Sequence, residues 1–107
     1  GTMEYLLENY LQTAGVRVFV FDGISPDRSR SRFTVSVDTT LLGRYTISLQ
    51  ELPLICRQFL QKRIMSGGSR SLTFAATDMA DLAAERAEAR TAIDRRKFNR
   101  RTSPSAS

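Results

Sequence analysis

Histidine is absent from these 107 residues. That absence removes Ser–His and Cys–His nucleophile pairs, the commonest general base and every zinc site built on imidazole. Cysteine is nearly absent as well. A lone Cys56 makes an intramolecular disulfide impossible, and a single thiol cannot form a thiolate metal cluster. Cys56 falls on the apolar stripe of an expected helix, where a free thiol behaves as a small buried hydrophobe. No segment approaches the roughly 18 consecutive apolar residues of a membrane span. No basic segment followed by an apolar run opens the chain, so no signal peptide is read. Gly1-Thr2 ahead of Met3 reads as a cloning remnant, and a reducing, cytoplasmic setting is expected.

An enzyme built without histidine would need carboxylates, lysine or tyrosine converging in a pocket, and no spacing here suggests it. The expectation is a non-enzymatic protein with no cofactor, no metal and no small-molecule substrate. Ser66-Gly67-Gly68-Ser69 lacks the Gly/Lys spacing of a phosphate-cradling loop and reads as a flexible break. Arg28-Ser29-Arg30-Ser31 reads as a solvated loop.

What is present suffices for one domain with one core. The hydrophobic share is 41 %, ordinary for a globular chain, and the formal charge is +5 from 16 basic and 11 acidic side chains. Met3, Leu6, Leu7, Tyr10, Leu11 and Ala14 recur at helical spacing with Gly15 after them, which predicts a helix over 3–14. Val16 to Phe21 is β-branched and aromatic and predicts a strand. Arg32–Asp38 and Arg44–Leu49 alternate cleanly and predict two more. Leu52, Ile55, Cys56, Phe59, Leu60 and Ile64 follow the strongest helical pattern in the chain, with Pro53 near its start. Arg70–Phe74 is a candidate for a short edge strand. Thr77 is the expected N-cap of a final helix reaching to about Arg100.

The expected fold class is therefore α+β: a three-stranded antiparallel meander, with a short fourth strand as an option, packed by two helices and followed by a C-terminal helix. The expected organisation is a compact unit over 3–64, a Gly/Ser hinge over 65–74, a basic helix over 75–101 and a disordered tail over 102–107. The order helix-strand-strand-strand-helix resembles that of double-stranded-RNA-binding domains. The likeness is one of order alone, because Gln50-Glu51-Leu52-Pro53 stands where a basic cluster would open the second helix.

The first strand is apolar on both faces. If Val16, Val18 and Val20 join the core, Phe19 and Phe21 turn outward and need a cover: the C-terminal helix folding back, a second copy of the protein, or a ligand surface. The outward face of the sheet would then carry Arg17, Arg32 and Arg44 among small hydroxyls. Such a surface suits nucleic acid, with guanidinium groups on phosphates and rings on unpaired bases. On the final helix Asp78, Asp81, Glu85 and Glu88 share one stripe and Arg86, Arg90, Lys97 and Arg101 another. Acids leading and bases trailing match the helix dipole, which accounts for the carboxylates without a metal. Arg95, Arg96, Lys97, Arg100 and Arg101 crowd the end of the helix as a candidate phosphate-binding arm. Met79, Leu82 and Ile93, with Phe19 and Phe21, are the candidate interface residues. The leading expectation is a binding module for DNA or RNA; the alternative is a homo-oligomeric adaptor that binds another protein.

Overall fold

Two apolar doublets, Leu6-Leu7 and Tyr10-Leu11, open the fold as a strand, where their spacing had predicted a helix. In the computed structural model, which describes residues 3–102 and the side chains of residues 3–97, β1 spans Glu4–Thr13. It pairs antiparallel with β2, Val16–Ile24, and the register slips between Leu7 and Asn9. The slip is a β-bulge at Glu8. One extra residue shifts the strand's alternation, so the apolar pairs fall three and four apart and imitate a helix. The hairpin closes through Ala14 and Gly15, both at positive φ (47° and 83°), a two-residue turn whose twist matches that of the strands. With a strand first, the likeness in element order to double-stranded-RNA-binding domains falls away.

β3, Arg30–Asp38, pairs antiparallel with β2, placing Phe19 opposite Val35 and Phe21 opposite Phe33. Here the structure inverts the expected faces. Phe19, Phe21, Phe33, Val35 and Val37 are buried beneath the helices, while Val16 is exposed and Val18 and Val20 are half-buried on the other side. A phenylalanine hides more apolar area than a valine, about 1.5–3 kcal/mol when fully covered, so the larger side chains claim the helical layer. Gly23 lies in the same inward row. A Cβ there would meet the Phe33 ring, which fills the space and takes Tyr5 edge-on at 5.3 Å.

The expected third strand over 44–49 is absent among the described residues. A 3₁₀ segment, Thr39–Tyr45, follows β3 at once, capped by Asp38, whose carboxylate accepts from the Thr40 N–H. Thr46 at φ 56° reverses the chain, and the Ile47 N–H donates to the Leu42 carbonyl at 3.1 Å. Leu42 and Ile47 are both buried, so these apolar side chains reach the core from turns instead of a ladder.

A second short 3₁₀ turn, Leu49–Glu51, leads into α1, Leu52–Met65. The 3₁₀ turn opens on a Ser48/Glu51 capping box, and α1, with Pro53 in its first turn, buries Leu52, Ile55, Cys56 and Leu60. It carries the chain across to β4, Ser71–Phe74, which pairs parallel with β3. A parallel neighbour requires such a crossover. The sheet is thus four-stranded and mixed, ordered β1-β2-β3-β4, with its antiparallel meander built from residues 4–38.

α2 covers Ala76–Thr102. Its first turn is capped by Asp78, which accepts from the Ala75 N–H at 2.8 Å, and not by the expected Thr77. Phe74 and Met79 are buried in the same core as Phe19, so packing continues beyond residue 64. Met79, Leu82, Ala83 and Arg86 face the body; from Ala87 to Lys97 every residue is exposed. The helix therefore projects, its last sixteen residues reaching roughly 24 Å at 1.5 Å each. The molecule measures 61 × 38 × 22 Å along its principal axes. Gly1-Thr2 and residues 103–107 of the expected disordered tail lie outside the described residues.

Candidate nucleic-acid interface

The expected arginine array on one sheet face is not assembled. Arg17 belongs to the Phe19 side of β2. Its guanidinium sits 4.2 Å from the Tyr10 ring centroid, and its Nε donates to Gln12 Oε1 at 2.8 Å. Arg32 lies on the opposite face, directly across from Asp22. Asp22 itself is paired with Arg30 at 2.8 Å. Arg44 is in the 3₁₀ segment, away from the sheet. Alternation along 44–49 would have put Arg44 on the same face as Arg32, and the turn at Thr46 removes that possibility.

What the fold brings together is a different set. Arg44, Tyr45 and Thr46 face Ala83, Arg86 and Arg90 of α2 across a shallow groove of about 130 Å³. Arg86 donates to Glu51 Oε1 at 2.6 Å, while the other oxygen of Glu51 accepts from the Ser48 N–H at 2.9 Å. Those donors, the Ser48 amide first, then the Arg86 guanidinium and the Ser48 hydroxyl, hold the Glu51 carboxyl below its ordinary pKa. One ion pair thus fixes Arg86 and docks α2 over the start of α1. Among the described residues Arg44 and Arg90 have no carboxylate within 4 Å, which leaves their guanidinium groups available to an anion.

At 100° per residue, Arg86, Arg90, Ile93 and Lys97 fall within a sector of about 60° on α2. The groove beside Arg44 is therefore the near end of a basic stripe running out along the free helix. Arg95 and Arg96 are exposed on its other faces, and Arg100 and Arg101 lie on the last turn, their side chains outside the described residues. Residues 86–101 contain seven basic and two acidic side chains; the rest of the chain contains nine of each and is formally neutral. Without Arg86, which Glu51 holds to the body, the projecting residues 87–102 carry +4 of the protein's +5 net charge.

In the acidic half of α2, Asp78 has a local partner. Asp78, Asp81 and Glu85 line a groove of about 330 Å³ with Lys62 and Arg63 of α1, and Arg63 approaches Asp78 at 3.4 Å. Asp27 caps its own loop: the Ser25 and Ser29 hydroxyls and the Ser29 amide lower its pKa to about 2. Ser29 of the Arg/Ser run is thereby engaged in holding that loop. The Cys56 thiol is pushed up to about 12 by burial, which keeps it protonated and unreactive.

Of the expected interface residues, Phe19 and Phe21 are 1 % and 0 % exposed, so they belong to the core and not to a docking surface. Met79 is likewise buried and Leu82 half-buried, both spent in seating α2. Ile93 alone is open, at 49 %. The basic stripe was readable from helical spacing. The association of Arg44 with Arg86 and Arg90 was not, because it depends on where a 3₁₀ segment packs. No family model matches the chain, and no curated protein or solved structure matches it either.

Proposed function

We propose that this chain is a non-enzymatic module that binds the phosphate backbone of nucleic acid through Arg44, Arg90 and the basic stripe of α2. The observation that carries the reading is the segregation of charge: a nearly neutral body bearing one exposed helical segment, residues 87–102, that holds +4 of the +5 net charge. Guanidinium groups offer paired donors that match phosphate oxygens, and Arg44 and Arg90 present two of them across one groove. A helix of this diameter fits the major groove of a duplex and lies equally well along a single strand. The buried, protonated Cys56 and the locally engaged carboxylates favour binding over catalysis.

The test is fluorescence anisotropy with duplex and single-stranded oligonucleotides of DNA and RNA at several salt concentrations. Affinity is expected to fall log-linearly with salt. A slope of about −4 to −6 on a DNA duplex is expected if five to seven phosphates are neutralised. Replacing Arg95, Arg96, Lys97, Arg100 and Arg101 by Ala should weaken binding strongly and lower the salt slope by about four, while leaving the far-UV circular dichroism of the body intact. Arg90→Ala should reduce the slope by about one. Undiminished binding by the five-fold variant, or binding indifferent to salt, refutes the reading.

A further inference from the structure

The free edge of the sheet carries a pattern that neither the core nor the basic helix explains. Among the described residues β1 has no neighbour on its outer side, yet Leu6, Leu7, Tyr10 and Leu11 are 48, 40, 50 and 60 % exposed. A long apolar edge strand is a template for another strand, and proteins blunt such an edge with lysine, other charges, proline or a bulge. Glu4–Thr13 contains no lysine or proline, and its only charges, Glu4 and Glu8, leave both apolar doublets exposed.

We infer that β1 pairs antiparallel with β1 of a second copy about a two-fold axis through the Glu8/Asn9 bulge, joining two sheets into one of eight strands. The register follows from the faces. In an antiparallel pair, opposed residues point to the same side of the sheet. Leu7 and Tyr10 face the helical side, opposite Phe21 and Phe19, while Leu6 and Leu11 face away, opposite Asp22 and Val18. Opposing Leu6 with the second copy's Leu11, and Leu7 with its Tyr10, matches every face. Sliding the pair by one residue in either direction mismatches them. In a regular strand, residues 7 and 10 would lie on opposite faces and no such symmetric register would exist. The bulge is what makes the edge self-complementary.

Charge and shape agree with this register. Glu8 falls opposite Asn9 and Glu4 opposite Thr13, so no like charges are directly opposed. On the helical side, an apolar groove of about 240 Å³ opens beside Leu7, lined by Pro53 and Leu54 of α1. The Tyr10 ring of the second copy, opposite Leu7, lies against its mouth. The other sheet edge, β4, has only four residues, so a head-to-tail β1–β4 joint would leave most of β1 uncovered. Two ten-residue strands and their side chains hide on the order of 1,000 Å², the lower end of specific interfaces, where weak and transient pairs lie. None of the cations invoked for nucleic-acid binding lies on β1, so this pairing stands or falls independently of that reading.

The experiment is sedimentation equilibrium of the full chain without nucleic acid, from 1 to 200 µM. The expected result is a monomer–dimer equilibrium between the 12.0 kDa chain and twice that mass. Leu6→Glu and Leu11→Lys should each weaken the dimer at least about tenfold. Combined in one chain they should restore it, because each glutamate then faces a lysine of the second copy. Thermal unfolding of each variant confirms the fold. A wild-type monomer throughout the range overturns the inference, as does a dimer indifferent to both single changes. A double variant no tighter than either single one also overturns it.

Discussion

The turn that closes the β1–β2 hairpin offers a test with opposite signs at adjacent residues. Ala14 sits at φ 47° and Gly15 at φ 83°. A left-handed backbone costs an ordinary L-residue about 1–2 kcal/mol, chiefly from crowding of Cβ. Asparagine tolerates the region, since its amide bonds to nearby backbone, and Asn-Gly is the favoured pair for this turn. Ala14→Asn should therefore stabilise the fold by about 1 kcal/mol, raising Tm by about 4–8 °C in a domain of this size. Ala14→Gly should gain less, because glycine also loosens the unfolded chain by about 0.5–1 kcal/mol. Gly15→Ala should do the reverse. A Cβ there would stand 3.0 Å from Thr40 Cγ2, and the turn has no freedom to retreat. Its carbonyl is held by both the Thr39 amide and the Thr39 hydroxyl at 2.8 Å. A loss of about 1–2 kcal/mol is expected. Urea and thermal unfolding followed by circular dichroism, at one fixed protein concentration, read all three variants. A neutral or destabilising Ala14→Asn together with a tolerated Gly15→Ala would refute the turn geometry and with it the register of β1.

Two further outcomes can be checked on the same instruments. A carboxylate whose folded pKa is depressed stabilises the fold fully above its unfolded pKa, and the contribution is lost as pH falls through the folded value. Glu51 and Asp27, with ordinary values of 4.5 and 3.8, should therefore make Tm decline as pH drops below about 4.5 toward 2, and Glu51→Gln should flatten the upper part of that decline. Met79→Ala should cost about 2–5 kcal/mol through the cavity it leaves, whereas Ile93→Ala, on the free part of α2, should stay within about 0.5 kcal/mol.

Local signals carried much of the fold. The period of Leu52 to Ile64, the alternation of Phe33, Val35 and Val37, and the glycine pair before β4 each depend only on near neighbours, and each element stands where its pattern predicted. β1 was illegible because a bulge converts a period of two into something close to 3.6. The segment 44–49 was illegible for the opposite reason: real alternation, but no free edge on β3 to receive it, since β4 occupies the side of β3 away from β2. Which face of β2 turns inward was a competition between three valines and two phenylalanines that only the helical layer decides. At the candidate site, the stripe on α2 is a property of one helix and was visible. The place of Arg44 in it rests on a tertiary contact.

The separation of a nearly neutral body from a charged helix also gives the molecule a large permanent dipole moment. Acids lie where α2 meets α1 and bases toward its far end, so charge is displaced along the longest axis of the particle. In the field of a polyanion such a particle experiences a torque as well as an attraction. It turns before it touches, and the basic end of α2 leads.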